Sequence, residues 1–173
     1  MYRRFPLFAR ARTPCMLIRF FTRDALIVAA TAGLWWWLAP YSAGVGFLAD
    51  FTGWVVGLML FACAYLAHEW SHYLGAVAMG SQVSVGENLG SAFLFSFESE
   101  GNSLLQFVVM SLSGFVATAA AVAFFYLLLP DEFFASRVAR GGVLFLTFLG
   151  VALEVPLLSY GLMTRSVPKQ VSV

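Results

Sequence analysis

What this chain lacks first is charge. Asp, Glu, Lys and Arg make up 11% of its 173 residues, against 61% hydrophobic residues. A water-soluble domain of this length needs far more polar surface, so that class is excluded. The length suits one domain. Histidine is nearly absent, with two in the whole chain. Cysteine is equally scarce: Cys15 lies in a basic arm and Cys63 in an apolar stretch. Two thiols build neither a disulfide framework nor a Cys-rich metal site. No repeat, low-complexity tract or linker is visible. A secretory leader is disfavoured, because the uncharged run 25–49 outlasts an h-region of roughly 7–15 residues and follows a long basic arm.

What is present is a set of long apolar segments, at 24–40, 51–79, 103–129 and 141–164. Each approaches or exceeds the ~20 residues that cross a hydrocarbon core as a helix. In lipid the backbone must satisfy its own hydrogen bonds, which makes helices the default. The expected fold is an all-α polytopic membrane protein of four transmembrane helices, a single domain over 24–165. Six of the ten basic residues (Arg3, Arg4, Arg10, Arg12, Arg19 and Arg23) fall in an arm at 1–23. The positive-inside rule keeps that arm cytoplasmic. Four spans then return the tail 166–173 to the cytoplasm, in keeping with Arg165 and Lys169. The expected location is the cell (inner) membrane. Arg137 and Arg140 fall between the third and fourth spans and run mildly against this orientation, with Asp131 and Glu132 beside them. Trp35, Trp36, Trp37 and Trp54 fall at the outer interface, where Trp is favoured.

The connection from about 80 to 102 is different. Val83 and Val85, then Gly86-Glu87-Asn88-Leu89-Gly90, then Phe93, Phe95 and Phe97 give period-two apolar residues around a Gly/Asn turn. That pattern predicts a short β-hairpin between the second and third spans, its aromatic face against the membrane or the helices. Gly53 and Gly57 form a GxxxG, which reads as close packing before it reads as a dimer signal.

Ionisable residues inside the spans are His68, Glu69, His72 and Glu154. Such a group costs at least ~2.5 kcal/mol at mid-membrane, so it usually faces a cavity or a partner. His68 and His72 are four apart on a helix, which puts both imidazoles on one face within reach of one ion. Glu69 is not a direct ligand in an HExxH arrangement. It takes a proton from the attacking water and passes it to the leaving amine. A zinc site needs a third protein ligand, and Glu154 is the other carboxylate buried in a span. The bland alternative is a polar cluster that holds helices together. Haem is excluded, because two histidines on one turn cannot face each other across an iron. Pro156 removes a backbone hydrogen bond and could open the helix near Glu154.

On these residues the sequence resembles the site-2 protease family of intramembrane zinc metalloproteases. His68-Glu69-Trp70-Ser71-His72 is similar to the family's HExxH, with Ser71 where Gly is usual. Ala76 stands where that helix commonly continues with a small residue. The hairpin-like 81–100 occupies the place of the family's β-hairpin, which offers its edge to an unwinding substrate. Ser113-Gly114-Phe115-Val116-Ala117-Thr118 resembles the family's A-G-P-x-x-N stretch, with Phe115 for Pro and Thr118 for Asn. The resemblance covers 51–164. It implies Zn2+ held by His68, His72 and a third ligand, Glu69 as catalytic base and Thr118 as a substrate or oxyanion contact. The family carries its third ligand as an Asp late in the last span. Alignment on Pro156 puts Tyr160 or Gly161 there, and Glu154 lies about two turns earlier. It substitutes if that helix is bent or displaced.

The implied activity is hydrolysis of a peptide bond in or near a transmembrane segment of another membrane protein. The partners are that protein and the lipid bilayer, with no nucleic acid and no haem. The alternative is a catalytically inactive relative that binds or regulates a transmembrane partner. A small transporter is disfavoured by the scarcity of polar residues in the first and third spans.

Overall fold

The computed structural model describes residues 7–169, with side chains from Cys15 onward. Arg3, Arg4 and residues 170–173 lie outside the described residues, as do the side chains of Arg10 and Arg12. Among the described residues, three helical rods are long and apolar enough to cross a membrane. They are α2 (Phe47–Ala78), α3 (Leu104–Leu128) and a rod from Phe134 to Thr164. The last comprises α4 (Phe134–Leu149), one π turn (Gly150–Glu154) and α5 (Val155–Thr164). Ahead of them runs α1 (Leu7–Leu38).

Two boundaries differ from expectation. From Leu7 on, the basic arm and the first span are one helix, and the expected span at 24–40 begins only in the second half of α1. Its uncharged stretch is 25–38, preceded by Arg19, Arg23 and Asp24, so α1 is not among the three apolar rods. A 3-10 turn at Ala39–Ala43 ends it, with Pro40 where a missing N–H costs nothing. The second difference concerns α4, which begins at Phe134 and not at 141. Arg137 and Arg140 therefore lie on a helix and not in a loop. Arg140 can be there because it finishes α3: it donates to Phe125 O at 2.9 Å and Leu129 O at 2.7 Å, and pairs with Asp131. A cation at a helix C-terminus satisfies orphan carbonyls and suits the dipole. The guanidinium of Arg137 covers the Phe134 ring at 5.6 Å.

α2 is the central helix and packs against α1, α3 and α4. Where lipid is as apolar as any side chain, rods associate by close approach of small residues. A Cβ at Gly57 would lie 2.5 Å from the Val138 side chain and 2.8 Å from Ala135 O. A Cβ at Gly53 would lie 2.4 Å from the Phe134 ring. The GxxxG is thus the seat of α4 within the chain. Further along the same contact, Ala64, Phe125, Ala139 and Val143 form a buried cluster.

The hairpin is present and small. β1 (Val83–Val85) pairs antiparallel with β2 (Phe95–Phe97), with Val83 opposite Phe97 and Val85 opposite Phe95. Phe93 lies outside the ladder, because residues 86–94 form a long connecting segment and not a tight turn. Phe97 and Phe107 pack with Ala76, so the aromatic face meets the helices. Ser103 and Gln106 close a capping box at the start of α3. Val167 joins the Phe97 cluster and Ser99 donates to Pro168 O at 2.8 Å, which brings the chain after α5 to the hairpin end as well.

One register follows from this arrangement. His68 stands ten residues before the end of α2, Gly114 ten after the start of α3, and Glu154 ten before the end of α5. At helical rise that is about 15 Å from the hairpin end for all three. Gly57→Ala should cost about 1–3 kcal/mol through overpacking against Ala135 O, since backbone cannot yield as a side chain can. A thermal melt in detergent should show the lowered midpoint, whereas Gly33→Ala, whose Cβ meets nothing within 4 Å, should leave it in place.

Candidate metal centre

His68 and His72 point from the same face of α2 at α3. The His68 Nδ1 lies 3.1 Å from Gly114 O and 2.9 Å from Thr118 Oγ1. The His72 Nδ1 lies 2.8 Å from Met110 O. A carbonyl oxygen can only accept, so Nδ1 carries the proton in each neutral ring. That leaves both Nε2 atoms as bare lone pairs, and they sit 3.0 Å apart. Two such acceptors repel each other unless a cation or proton lies between them.

The space for His72 comes from α3. A Cβ at Gly114 would stand 2.2 Å from the His72 Cε1 and Nε2 atoms. Gly75 gives the reciprocal clearance, with Ser113 Oγ only 2.2 Å from the position of a Cβ. The stretch 113–118 thus forms the wall behind the two imidazoles. Thr118 is buried and orients the His68 ring. It also lines a mostly apolar cavity of about 380 Å³ between α3 and the last rod, shared with Phe115, Thr147 and Gly150.

Glu154 completes the group. The π turn makes the last rod swell just before Pro156, and Val155 N–H donates to Gly150 O, five residues back. Pro156 then falls at the start of α5, where its missing N–H is tolerated. Glu154 ends the π turn with one carboxylate oxygen, Oε1, 3.0 Å from His68 Nε2. The other, Oε2, is shielded from solvent and 3.3 Å from His72 Nε2, yet hydrogen-bonded to no described residue. Such widened turns recur at functional sites. One ligand atom from each of His68, His72 and Glu154 lies within 4.8 Å of the others, and the three residues could hold a metal ion. Two bare imidazole nitrogens, a carboxylate and an orphaned carboxylate oxygen are the donor set a divalent cation requires. Tyr160 is exposed and Gly161 packs near Phe107, so neither is in the group.

Glu69 stands apart from the three. Its Oε2 accepts from Leu94 N–H at 3.5 Å, and Tyr65, one turn earlier, donates to Ala92 O at 2.8 Å. The 86–94 segment therefore lies over the Glu69 face of α2. The roles of Gly114 and Met110 O were not legible beforehand, because a backbone carbonyl carries no sequence signal.

Protein-family models, curated proteins and solved structures return no match to this chain.

Gly114→Ala should displace the His72 ring and lower bound metal per chain well below that of the wild type, measured by elemental analysis after metal loading. Retention of full occupancy would show that the ring is not set by this contact.

Proposed function

We propose that the protein is an intramembrane zinc metalloprotease that hydrolyses a peptide bond in or near a membrane span of another protein. The observation that carries this reading is the convergence of His68 Nε2, His72 Nε2 and the Glu154 carboxylate at one depth, with Glu69 next to His68 in sequence. Zinc is the natural ion for two imidazoles and a carboxylate, and three protein ligands leave a position open. Bound there, it supplies a Lewis acid for the scissile carbonyl and makes water a stronger acid. Glu69 takes the proton of the water that adds to the carbonyl carbon and gives it to the nitrogen as the C–N bond breaks. Gly114 and Met110 carbonyls hold the imidazoles with their protons away from the ion. Fixing the outer nitrogen of a ligating histidine in this way sets both tautomer and orientation. Thr118 supports His68 and borders the apolar cavity, where a substrate side chain would find room. α1 serves as the fourth span, with N- and C-termini cytoplasmic and the site near the cytoplasmic side of the cell membrane.

Purified wild type and Glu69→Gln should be compared on a panel of single-span substrates in detergent or vesicles. Wild type should cleave at least one, and Glu69→Gln should be slower by roughly 10²-fold or more, the scale of a lost general base. Equal cleavage by both would remove Glu69 from the reaction. Cleavage by neither, with zinc fully bound, would favour the inactive relative that only binds a transmembrane partner.

A further inference from the structure

Three residues of the α1–α2 contact form a polar chain that the metal centre does not use. Trp70, inside the His68–His72 motif, donates its indole N–H to Asp24 Oδ2 at 2.8 Å. The other oxygen of Asp24 accepts from Arg23 Nε at 2.7 Å. Arg23 then reaches across with its terminal nitrogen to Leu89 O and Ser91 O. Those carbonyls belong to the 86–94 segment that gives Leu94 N–H to Glu69. Asp24 is 5% exposed, so its charge is withdrawn from solvent and offset by this geometry. Phe20, fully buried, stands against Gly86 at the start of the same segment, and Phe21 meets the Trp70 ring edge-on at 6.1 Å.

We propose that Arg23 and Asp24 of α1 are positioning residues that hold the 86–94 segment over Glu69, so that α1 sets how this carboxylate is covered. The inference rests on the reading of Glu69 as the proton-handling group. The chain ties three elements together: the motif helix, α1 and the segment between the strands. Carbonyls 89 and 91 face a guanidinium, which can serve both at once. A lysine would serve them only as a point charge. With the latch broken, residues 86–94 keep the Tyr65 bond to Ala92 O, the Phe20 contact at Gly86 and the buried Leu94, but Leu89 O and Ser91 O lose their charged donor and the cover over Glu69 loosens.

Hydrogen–deuterium exchange on the full chain in detergent micelles tests this directly. Arg23→Ala should speed exchange of 86–94 by about tenfold, the scale of a charged hydrogen bond, while α3 stays protected and metal content stays at the wild-type level. Trp70→Phe keeps the ring and removes the N–H donor, and should give a smaller rise in the same segment. In the cleavage assay Arg23→Ala should lower kcat with KM unchanged, Arg23→Lys should recover part of the loss, and Arg23→Ala should add nothing in a Glu69→Gln background. Exchange of 86–94 equal to wild type in both variants would overturn the proposal, and so would a rise spread evenly through α2 and α3. Absence of cleavage by wild type would sink the protease reading alone, because the exchange pattern decides the latch by itself.

Discussion

Two histidine rings, set nearly perpendicular, bring bare Nε2 atoms within 3.0 Å of each other, because α3 carbonyls occupy the opposite nitrogen of each. Much of the architecture serves that constraint. Lone pairs at this distance are unfavourable alone and favourable around a cation or a proton, so the arrangement could hold an ion. Close approach of α2 and α3 is needed to bring the carbonyls within reach, and Gly75 and Gly114 provide it by lacking side chains at the crossing. The wall and the two imidazoles are therefore one packing solution.

The carboxylate comes from a different physical source. A regular α-helix ending in Pro156 would have to release a carbonyl one turn earlier. The π turn at Gly150–Glu154 absorbs an extra residue there and restarts the helix with proline at a tolerated position. Glu154 sits at the end of that bulge, opposite both imidazoles. The long first helix acts from the other side: through Arg23, Asp24 and Trp70 it reaches the segment above Glu69. The centre thus lies between α2, α3 and the last rod, while the hairpin connection lies over Glu69 beside it.

Much of the fold was legible in the chain, for reasons that can be named. Scarcity of charge pointed to the membrane class, and all four apolar segments reappear within helices, three of them in rods long and apolar enough to cross a membrane. Alternating Val and Phe marked the strands, though Phe93 fell outside because pairing needs a partner residue, which only the register supplies. The start of α4 was missed since arginines look like loop residues until their carbonyl partners on α3 are known. The continuity of α1 was missed because charge marks the limit of a span and not of a helix. In the candidate site, His68 and His72 declared themselves by spacing, and Glu154 by being a carboxylate in an apolar rod. Gly114 showed only through the family-like stretch 113–118, and Met110 O and the Asp24–Trp70 bond carried no local signal, as each acts through a contact more than thirty residues away in sequence.

The central claim is that His68, His72 and Glu154 hold one ion. A zinc K-edge absorption spectrum of the loaded full-length protein, beside that of Glu154→Ala, tests it most directly. The account predicts one zinc per chain with two imidazole nitrogens and a carboxylate oxygen, and loss of the carboxylate contribution in the variant. Identical spectra, or a wild-type protein that binds no zinc, would contradict it.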